Sequence, residues 1–430
     1  MKGFLKRLLG DTRGSTLMIA AAAMPLVIGS AGLAADTIQW TLWKRQLQRA
    51  ADSAAMAGVY MIVQKEGDRS GVTGAVEDDL EINNHVSDDV ATTFNGQPSS
   101  GTYASDPHAV QVSLSYQKAL PFSSMFMTAA PTITAAATAT VVPSGKYCVV
   151  SLEHTAETGI NATGSTHLDL GCGMITNSTS MSAAVATGSS FVRASPVAAV
   201  GGIPASTNWG AGTVLQPFTV EQADPYANVY PPVRDPTTTP CTTDGNVTNN
   251  KFGNFGTSVD SVTCFNGSTT IAGTVVLKGQ IIVNGPGGLT IATQANVTCD
   301  QCTIILTNSD PSPTAPIGAF QVVGSPTMHF TAPRSGTYKG LLVYQDRRAV
   351  FDTAEAYINK IRGSSTSFFE GTFYFPKQML EFEGNTTMDT DCVQMVSRRV
   401  KFTGNSTINN VCDGGSGNLS FEGKKIRLVG

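Results

Sequence analysis

Two cysteines separated by two residues give the most direct chemical signal in the sequence. Cys299 and Cys302, in CDQC, have the spacing of a thioredoxin-type redox pair. Such a pair opens a helix directly after a strand, whereas the flanking segments NVT and TIIL predict strand on both sides. No second cysteine or histidine pair lies nearby to complete a zinc site. The flanking sequence therefore favours a structural disulfide.

The full set of cysteines is typical of an oxidised compartment. All eight lie in the part of the chain that begins at Cys148, which is rich in Thr, Asn and Gly and weakly charged. An even number of cysteines behind a membrane-directed N-terminus indicates disulfides formed outside the cytoplasm. Sequence order and internal repeats favour four pairs: Cys148–Cys172, Cys241–Cys264, Cys299–Cys302 and Cys392–Cys412.

A group of charged residues near the C-terminus is the main candidate for catalysis. Asp389 and Asp391 lie two apart on a predicted strand, and Arg398, Arg399 and Lys401 follow. Polysaccharide-cleaving β-helices need such a cluster, but solvated strand faces ordinarily carry similar charges. The five histidines are isolated, and no P-loop, nucleophile elbow or dinucleotide fingerprint occurs. We therefore predict no catalytic residue, no cofactor and no metal site.

The charge of the chain argues against nucleic acid as a partner. The formal net charge is −4, and only 14% of the residues are charged. A nucleic-acid-binding surface needs a basic stripe with interleaved aromatic residues, and the sequence contains none.

An uncharged segment near the N-terminus predicts a membrane-spanning helix. Residues 14–35 carry no charge, and as an α-helix they rise about 33 Å, which matches the ~30 Å hydrocarbon core of a bilayer. Pro25 lies inside the span, where a membrane helix tolerates a kink. Four basic residues precede the span and favour a cytoplasmic location for residues 1–13, with the bulk of the chain on the other side.

The span has two interpretations, a retained anchor and a cleaved signal. Small residues at 29–32 suit a signal peptidase. The helical pattern, however, continues beyond Asp36 without Pro or Gly as far as Gly58. Trp40 and Trp43 follow the span, where their amphipathic rings favour the membrane interface. We favour the retained anchor and leave cleavage open.

Residues 36–145 predict a periplasmic helix and a small α+β stem. The acidic run 76–94 predicts a second helix. Residues 110–116 alternate apolar and polar side chains, which predicts a half-buried strand, and 131–143 form another β-type run.

Residues 146–430 predict a right-handed parallel β-helix. FEGNTTMDTDC begins at Phe382 and FTGNSTINNVC at Phe402, so one pattern of Phe, Gly, Asn and Cys recurs. A period of about 20 residues with Asn and Gly corners is typical of coils that bury apolar side chains by stacking. An immunoglobulin-type sandwich, with strands every 8–12 residues or so, is the alternative. Residues 203–260, rich in Pro, Thr and Asn, are interpreted as an excursion from the coils.

The N-terminal region resembles the TadG-like proteins of the Tad (Flp) tight-adherence pilus assembly system. The shared features are an Arg-Gly opening, a Pro within the span, a closing Asp, and a Leu-Gln, Ala-rich helix that contains an Asp. In this sequence they are Arg13, Gly14, Pro25, Asp36, Leu47, Gln48 and Asp52. The segments SGTYKGLLVYQDR (335–347) and GTFYFP (371–376) also resemble the β-rich region of TadG-related proteins.

The sequence differs from members of this family in two features. TadE-like and TadF-like pseudopilins carry a Glu shortly after Arg-Gly that is used in processing, whereas TLMIAAAAM contains no acid. This difference argues against a processed pilin subunit. Some TadG proteins carry a von Willebrand A-type D-x-S-x-S metal site, which this sequence lacks, so metal-dependent adhesion by that route is not expected.

The resemblance implies a non-enzymatic, membrane-anchored component of Tad/Flp pilus assembly, acting as a periplasmic connector or pilus-associated protein. It implies a single pass through the inner membrane, and TadE/TadF-like pseudopilins and the secretion apparatus as partners. The small side chains of AADSAAMAG (50–58) are interpreted as a surface for close packing against another anchored subunit. A β-helix surface adhesin and, less favoured, a β-helix polysaccharide-degrading enzyme are the alternatives.

Overall fold

The chain folds into two compact units. Unit 1 comprises Met1–Val142 with Ile426–Gly430, and unit 2 comprises Pro143–Lys425. The computed structural model describes residues 14–429 except 66, 87–89, 233–239, 242, 248–252, 352–353, 355–356, 365, 385–386, 406 and 412–420.

A single long helix, α1 (Gly14–Gln64), begins unit 1. Its first part is built from Ala, Leu, Ile and Met, and residues 36–57 contain no Pro or Gly that would end the helix. Apolar side chains of the first part are exposed, whereas one face of the later part is buried: Leu47, Ala50, Ala51, Ala54, Ala55, Val59 and Ile62. The long apolar helix predicted from the sequence is confirmed.

The acidic run forms less helix than its composition predicts. α2 (Val72–Asp78) passes into a π-helical turn (Asp79–Asn83), and β1 (Val90–Gly96) follows. The helix predicted over 76–94 therefore ends at Asn83, and the prediction is wrong for residues 90–94, which lie in β1. The run Val-Ala-Thr-Thr-Phe, which is rich in β-branched residues, pairs with the next strand instead, as its β propensity favours.

Unit 1 contains an antiparallel meander. β1 pairs with β2 (Val110–Gln117), and β2 pairs with β3 (Thr132–Ser151) in register Val110↔Ala139 to Gln117↔Thr132. A short 3₁₀ turn, Ser123–Met125, lies in the connection between β2 and β3. One face of α1, together with α2, packs on this sheet and forms a core of small and branched side chains.

Unit 2 is built almost entirely from short strands, so the mainly β character predicted for this region is confirmed. The strands that begin in it after β3 are β4 (Ile160–Ala162), β5 (His167–Asp169), β6 (Gly173–Thr176), β7 (Ala184–Ala186), β8 (Phe191–Arg193), β9 (Val197–Ala199), β10 (Leu215–Gln216), β11 (Thr243–Val247), β12 (Gly253–Phe255), β13 (Val262–Ile271), β14 (Thr274–Asn284), β15 (Leu289–Ile291), β16 (Asn296–Thr307), β17 (Phe320–Val322), β18 (Thr327–Thr331), β19 (Leu341–Gln345), β20 (Asn359–Gly363), β21 (Phe368–Gly384), β22 (Thr387–Asp391), β23 (Val393–Gly404), β24 (Thr407–Val411) and β25 (Phe421–Leu428).

Strands of unit 2 pair in parallel and form long ladders. The first ladder runs β11–β13–β14–β16–β19–β21–β23–β3–β6–β9–β10. A second runs β13–β15–β17–β20–β21–β23–β4–β7. Further ladders are β12–β14–β16–β18–β21 and β22–β24–β5–β8. Parallel pairing excludes the immunoglobulin-type sandwich, whose strands are antiparallel.

The order of strands in the first ladder differs from their order in the chain. β23 pairs with β3 through Met395↔Val149 and Ser397↔Ser151, so the end of unit 2 lies beside its beginning. We call this junction the seam. β10 and β11, which follow one another in the chain, lie at opposite ends of the ladder.

Apolar side chains stack from strand to strand inside unit 2. Phe382 and Phe402, the recurring Phe of the sequence repeat, are fully buried with ring centroids 6.4 Å apart. Phe330 and Phe369 make a similar contact at 5.8 Å. Each ring needs the rings of neighbouring strands for its burial, which ties the ladder together along its length.

An irregular segment, residues 217–232, follows β10 and contacts other strands of the first ladder, and we call it the strap. Gln222 of the strap exchanges hydrogen bonds with Asn177 near one end. Tyr226 Oη and Thr372 Oγ1 lie 2.8 Å apart farther along. Beyond the strap, a disulfide joins Cys241 to Cys264 of β13. Tyr226 and Val229 of the strap, together with Cys241, thereby contribute to a second apolar cluster.

Candidate functional site at the base of the long helix

The first part of α1 presents apolar side chains outward. Met18, Leu26 and Leu33 are 78%, 76% and 56% exposed. Within the part of the chain that the structure describes, α1 is the one helix long and apolar enough to cross a membrane. An apolar surface of this size is stable when lipid surrounds it.

The residues that open the family pattern lie in this exposed part. Gly14 is the first residue of α1, and Pro25 lies inside it without ending it. Arg13 lies outside the described residues. A proline is compatible with a membrane helix because neighbouring groups and small adjustments satisfy the freed carbonyl.

Asp36 closes the uncharged span and binds a loop of its own unit. Its side chain is almost fully buried, with 4% of the residue exposed. The carboxylate accepts hydrogen bonds from the backbone N–H of Phe122, at 3.1 Å, and from both the N–H and the hydroxyl of Ser123. Hydrogen bonds to a carboxylate are stronger than neutral ones, so Asp36 fixes this loop on the helix.

A glycine one turn before Asp36 makes room for the same loop. A Cβ placed on Gly32 would lie 2.3 Å from Cδ2 of Phe122, so any larger residue would displace the ring. Gly29, three residues earlier, has no atom within 4 Å of such a Cβ. Gly32 is therefore a notch in α1 that receives the Phe122 ring.

The residues that follow in the family pattern hold α1 to the sheet of unit 1. Leu47 is buried in the core. The Gln48 side-chain amide donates to Asp52 Oδ1 at 2.8 Å and to the backbone oxygen of Ala136 in β3 at 3.0 Å. Gln48 and Asp52 thus act as a pair that orients the helix on the strand.

The Ala-rich face is already occupied within the chain. Ala51, Ala54 and Ala55 are fully buried against unit 1's own strands. A Cβ on Gly58 would lie 2.9 Å from Cγ1 of Val110, which shows how closely helix and sheet approach. The interpretation of residues 50–58 as a surface for another anchored subunit is therefore wrong, because these small side chains allow close packing inside the chain itself.

A buried carboxylate that the sequence interpretation missed completes the region. Asp79 is 7% exposed and accepts hydrogen bonds from Ser53 Oγ at 3.1 Å, Asn83 Nδ2 at 2.8 Å and Asn84 Nδ2 at 2.9 Å. It fastens the π-helical turn to α1. The only sequence signal was the pair of asparagines four and five residues after an acid.

Six described residues of the family pattern occupy three places and do not converge on one centre. Gly14 begins α1, Pro25 lies in its exposed apolar part, Asp36 lies at the end of that part, and the other three lie on the packed part of α1. This arrangement suits an anchor joined to a folded base and is not that of a catalytic constellation.

Residues of α1 were compared with the sequence patterns of known protein families. Residues 14–61 match the Tad family, described as "Putative Flp pilus-assembly TadE/G-like". The TadE/G-like segment contains all six of these residues, and the resemblance predicted from the sequence is confirmed over it. No significant match was found among curated proteins or among solved structures.

The cysteines beyond the TadE/G-like segment form disulfides. Three bonds join cysteines that both lie among the described residues, Cys148–Cys172, Cys241–Cys264 and Cys299–Cys302, and all are pairs that sequence order favours. Cys392 is also disulfide-bonded, and Cys412 lies outside the described residues. Cys299 and Cys302 are fully buried within the single strand β16, where the left-handed conformation of Gln301 brings them together. A buried pair within a strand is suited to a structural role.

The basic residues of the C-terminal charged group are held in ion pairs. Glu153, whose side chain is fully buried, accepts Arg398 Nε at 3.0 Å and Arg399 Nε at 2.5 Å. Burial raises the pKa of Glu153, but hydrogen bonds from Arg398, Thr155 and Arg399 outweigh it and bring the pKa to about 2. These contacts cross the seam between β3 and β23.

Of the other charged candidates, the structure describes the side chain of Lys401. Lys401 Nζ lies 3.1 Å from Glu381 Oε1 on the neighbouring strand. Asp389 and Asp391 lie in β22, and their side chains are outside what the structure describes.

A second polar cluster lies where the strap meets the first ladder. Arg347 donates to the backbone oxygen of Val229 at 3.0 Å and to Tyr374 Oη at 2.7 Å, and its guanidinium lies 3.3 Å from Asp224 Oδ2. Burial raises the pKa of Tyr226 to about 12, and burial followed by the charge of Asp224 raises that of Tyr374. Beside this cluster is a cavity of about 540 Å³, lined among others by Tyr230, Pro231, Tyr344 and Arg347.

Proposed function

We propose that this chain is a non-enzymatic, membrane-anchored component of Tad (Flp) pilus assembly, acting as a periplasmic connector or pilus-associated protein. The match of residues 14–61 to TadE/G-like proteins carries the proposal. It is supported by the exposed apolar surface of the same helix and by the direct continuation of that helix into a folded unit.

The proposed location is the inner membrane, with one pass, residues 1–13 in the cytoplasm and the bulk of the chain in the periplasm. Basic residues before the span support this orientation. Disulfides in unit 2 support an oxidising compartment for the bulk. Retention of the anchor is supported by the fold of unit 1, because Asp36 and Gly32 both bind its 121–127 loop.

The proposed architecture of unit 2 is a right-handed parallel β-helix. Strands recur in the same ladders, and in the region of the sequence repeat the paired residues are 20 positions apart, as for Glu381 and Lys401. A stack of this kind is rigid and presents an extended surface. Such a surface suits a connector that contacts TadE/TadF-like pseudopilins and the secretion apparatus. The ion pairs of Arg398, Arg399 and Lys401 support a structural role for the charges that an enzyme would need.

The test is to follow the full-length protein, tagged at its C-terminus, in a bacterium that assembles Tad pili. We expect it in the membrane pellet after carbonate extraction, with its N-terminal span intact, and co-purifying in mild detergent with TadE/TadF-like subunits. A matched variant, Leu26→Arg with Val27→Arg, disrupts the span and should release the protein. Recovery of the unaltered chain as a soluble, polysaccharide-cleaving protein would contradict the proposal.

A surface adhesin is the second candidate, and the aromatic-lined cavity beside the strap is the observation that favours it. Protease treatment of intact cells separates the two functions. Unit 2 should be protected if it is a periplasmic connector and cleaved if it is displayed at the cell surface.

A further inference from the structure

The connection between β2 and β3 carries an unusual group of exposed apolar side chains. Met125 and Phe126 are each 75% exposed, and Met127 is 51% exposed. No charged residue occurs from 119 to 145. Three consecutive large apolar side chains on a water-facing loop favour aggregation, so such a group calls for a partner that removes it from water. We call residues 121–127 the apolar loop.

The apolar loop is an ordered turn. It contains the 3₁₀ turn Ser123–Met125, and the backbone N–H of Met127 donates to the carbonyl oxygen of Ser123 at 2.9 Å. The rings of Phe122 and Phe126 lie with centroids 5.4 Å apart. Its apolar side chains are therefore presented in a fixed direction.

Contacts with α1 fix the level of the apolar loop along the helix. Phe122 packs into the notch at Gly32, and Asp36 holds the N–H groups of Phe122 and Ser123. Gly32 belongs to the uncharged span, whereas Asp36 is the first charged residue after it. The loop therefore lies beside the last turn of the segment that enters the hydrocarbon region.

Residues on the other side of Asp36 have the composition of a membrane interface. Lys118 Nζ lies 5.3 Å from the ring centroid of Trp43 and 5.7 Å from that of Tyr116. Trp40 is 41% exposed on the same part of α1. Aromatic and lysine side chains of this kind favour the headgroup region, so the boundary of the bilayer falls between them and Gly32.

We propose that the apolar loop is a second membrane contact, which inserts Met125, Phe126 and Met127 into lipid beside α1. The inference rests on the membrane anchor of the proposed function and is independent of the role in pilus assembly. The occupant is lipid because the loop adjoins the lipid-exposed part of the same helix. Two contacts also fix the rotation of α1 about its axis, since the side that carries Gly32 and Asp36 must face the loop.

Photo-cross-linking of the full-length chain in vesicles of phosphatidylethanolamine and phosphatidylglycerol tests the proposal. Benzoylphenylalanine replaces one exposed residue at a time. The three positions are Phe126, which is 75% exposed, Leu26, which is 76% exposed, and Tyr60, which is 43% exposed. Leu26 reports insertion of the span. Tyr60 is a matched aromatic position on α1, more than six turns beyond Asp36 at about 3.6 residues per turn. We expect lipid adducts at Phe126 and Leu26, each several-fold above Tyr60.

The remaining outcomes separate the loop from the anchor. If Leu26 labels lipid and Phe126 labels no more than Tyr60, the loop proposal is overturned and the anchor stands. An adduct of Phe126 with a second protein chain, found in host membranes or in the vesicles, also overturns it and identifies a subunit contact. Absence of lipid labelling at Leu26 overturns the anchor itself, and the loop proposal with it.

Discussion

Unit 1 and unit 2 bury their apolar side chains in different ways. In unit 1, alanines of α1 such as Ala51 and Ala54 pack against antiparallel strands that are close together in the sequence. In unit 2, larger rings such as Phe382 and Phe402 stack between parallel strands. The seam of unit 2 joins residues 245 positions apart, as for Glu153 and Arg398.

The difference also affects how tightly packing constrains the sequence of each unit. A close helix–sheet contact admits only the smallest side chains at particular positions, so the sequence is tightly constrained there. A stacked ladder accepts many apolar side chains if their spacing is kept, so fewer of its positions require one particular residue. Among the described residues, disulfides are found only in unit 2. In that unit, strands far apart in the sequence must pair.

The largest effect is expected at the seam. Glu153→Gln keeps the size of the side chain but leaves Arg398 and Arg399 without their buried counter-ion. Breaking a buried ion pair costs about 3–5 kcal/mol, so the melting temperature of the full chain in detergent should fall by several degrees or more.

The matched control is an exposed pair between neighbouring strands. Asp169 and Arg193 pair on the surface of unit 2, with 57% of the Arg193 side chain exposed, so Asp169→Asn should change the melting temperature little. Equal effects of the two substitutions would show that the seam does not differ from the rest of the ladder.

The same carboxylate predicts how the stability of unit 2 depends on pH. The pKa of Glu153 is about 2 in the folded chain and 4.5 ordinarily, so its contribution is complete above pH 4.5 and is lost as the pH falls from 4.5 to 2. The difference in melting temperature between the wild type and Glu153→Gln should therefore shrink over this range. A difference that stays constant from pH 7 to pH 2 would mean that the ionised carboxylate does not stabilise the seam.

A smaller effect is expected in the core of unit 1. Ala54→Leu adds three carbon atoms at a fully buried position and should cost about 1–3 kcal/mol through overpacking. Ala22→Leu makes the same change at an exposed position of the span and should leave the melting temperature nearly unchanged. If Ala54→Leu is harmless, the Ala-rich face is not the tightly packed contact that distinguishes unit 1.

Much of the fold could be predicted because it depends on local pattern. The uncharged span, the alternation at 110–116 and the β-branched runs after residue 146 each determine their own secondary structure. The end of the acidic helix was not predictable in this way, because residues Val90–Gly96 form strand pairing with β2 and do not continue the helix. The seam could not be predicted from the sequence either, because nothing in the residues around Val149 or Met395 indicates that they pair.

Less of the candidate site could be predicted. The resemblance identified Asp36 and Gln48, but their partners, Ser123 and Ala136, lie 87 and 88 positions away and belong to no motif. The Ala-rich face was assigned to another subunit because small residues indicate close packing without indicating with what. Only the structure shows that the strands of unit 1 cover it.

The smallest expected effect separates a local contact from the stability of unit 1. Gly32→Ala places a methyl group against the Phe122 ring, whereas Gly29→Ala adds one where nothing lies within 4 Å. Both changes improve helix propensity by about 1 kcal/mol, so their melting temperatures should be similar. Only Gly32→Ala should displace the apolar loop, because the ring has no room to remain. Hydrogen–deuterium exchange of the Phe122 and Ser123 amides, which donate to Asp36, should therefore become faster in Gly32→Ala alone. Equal exchange in the two variants would show that the notch does not hold the loop, and that unit 1 keeps it in place through Asp36 alone.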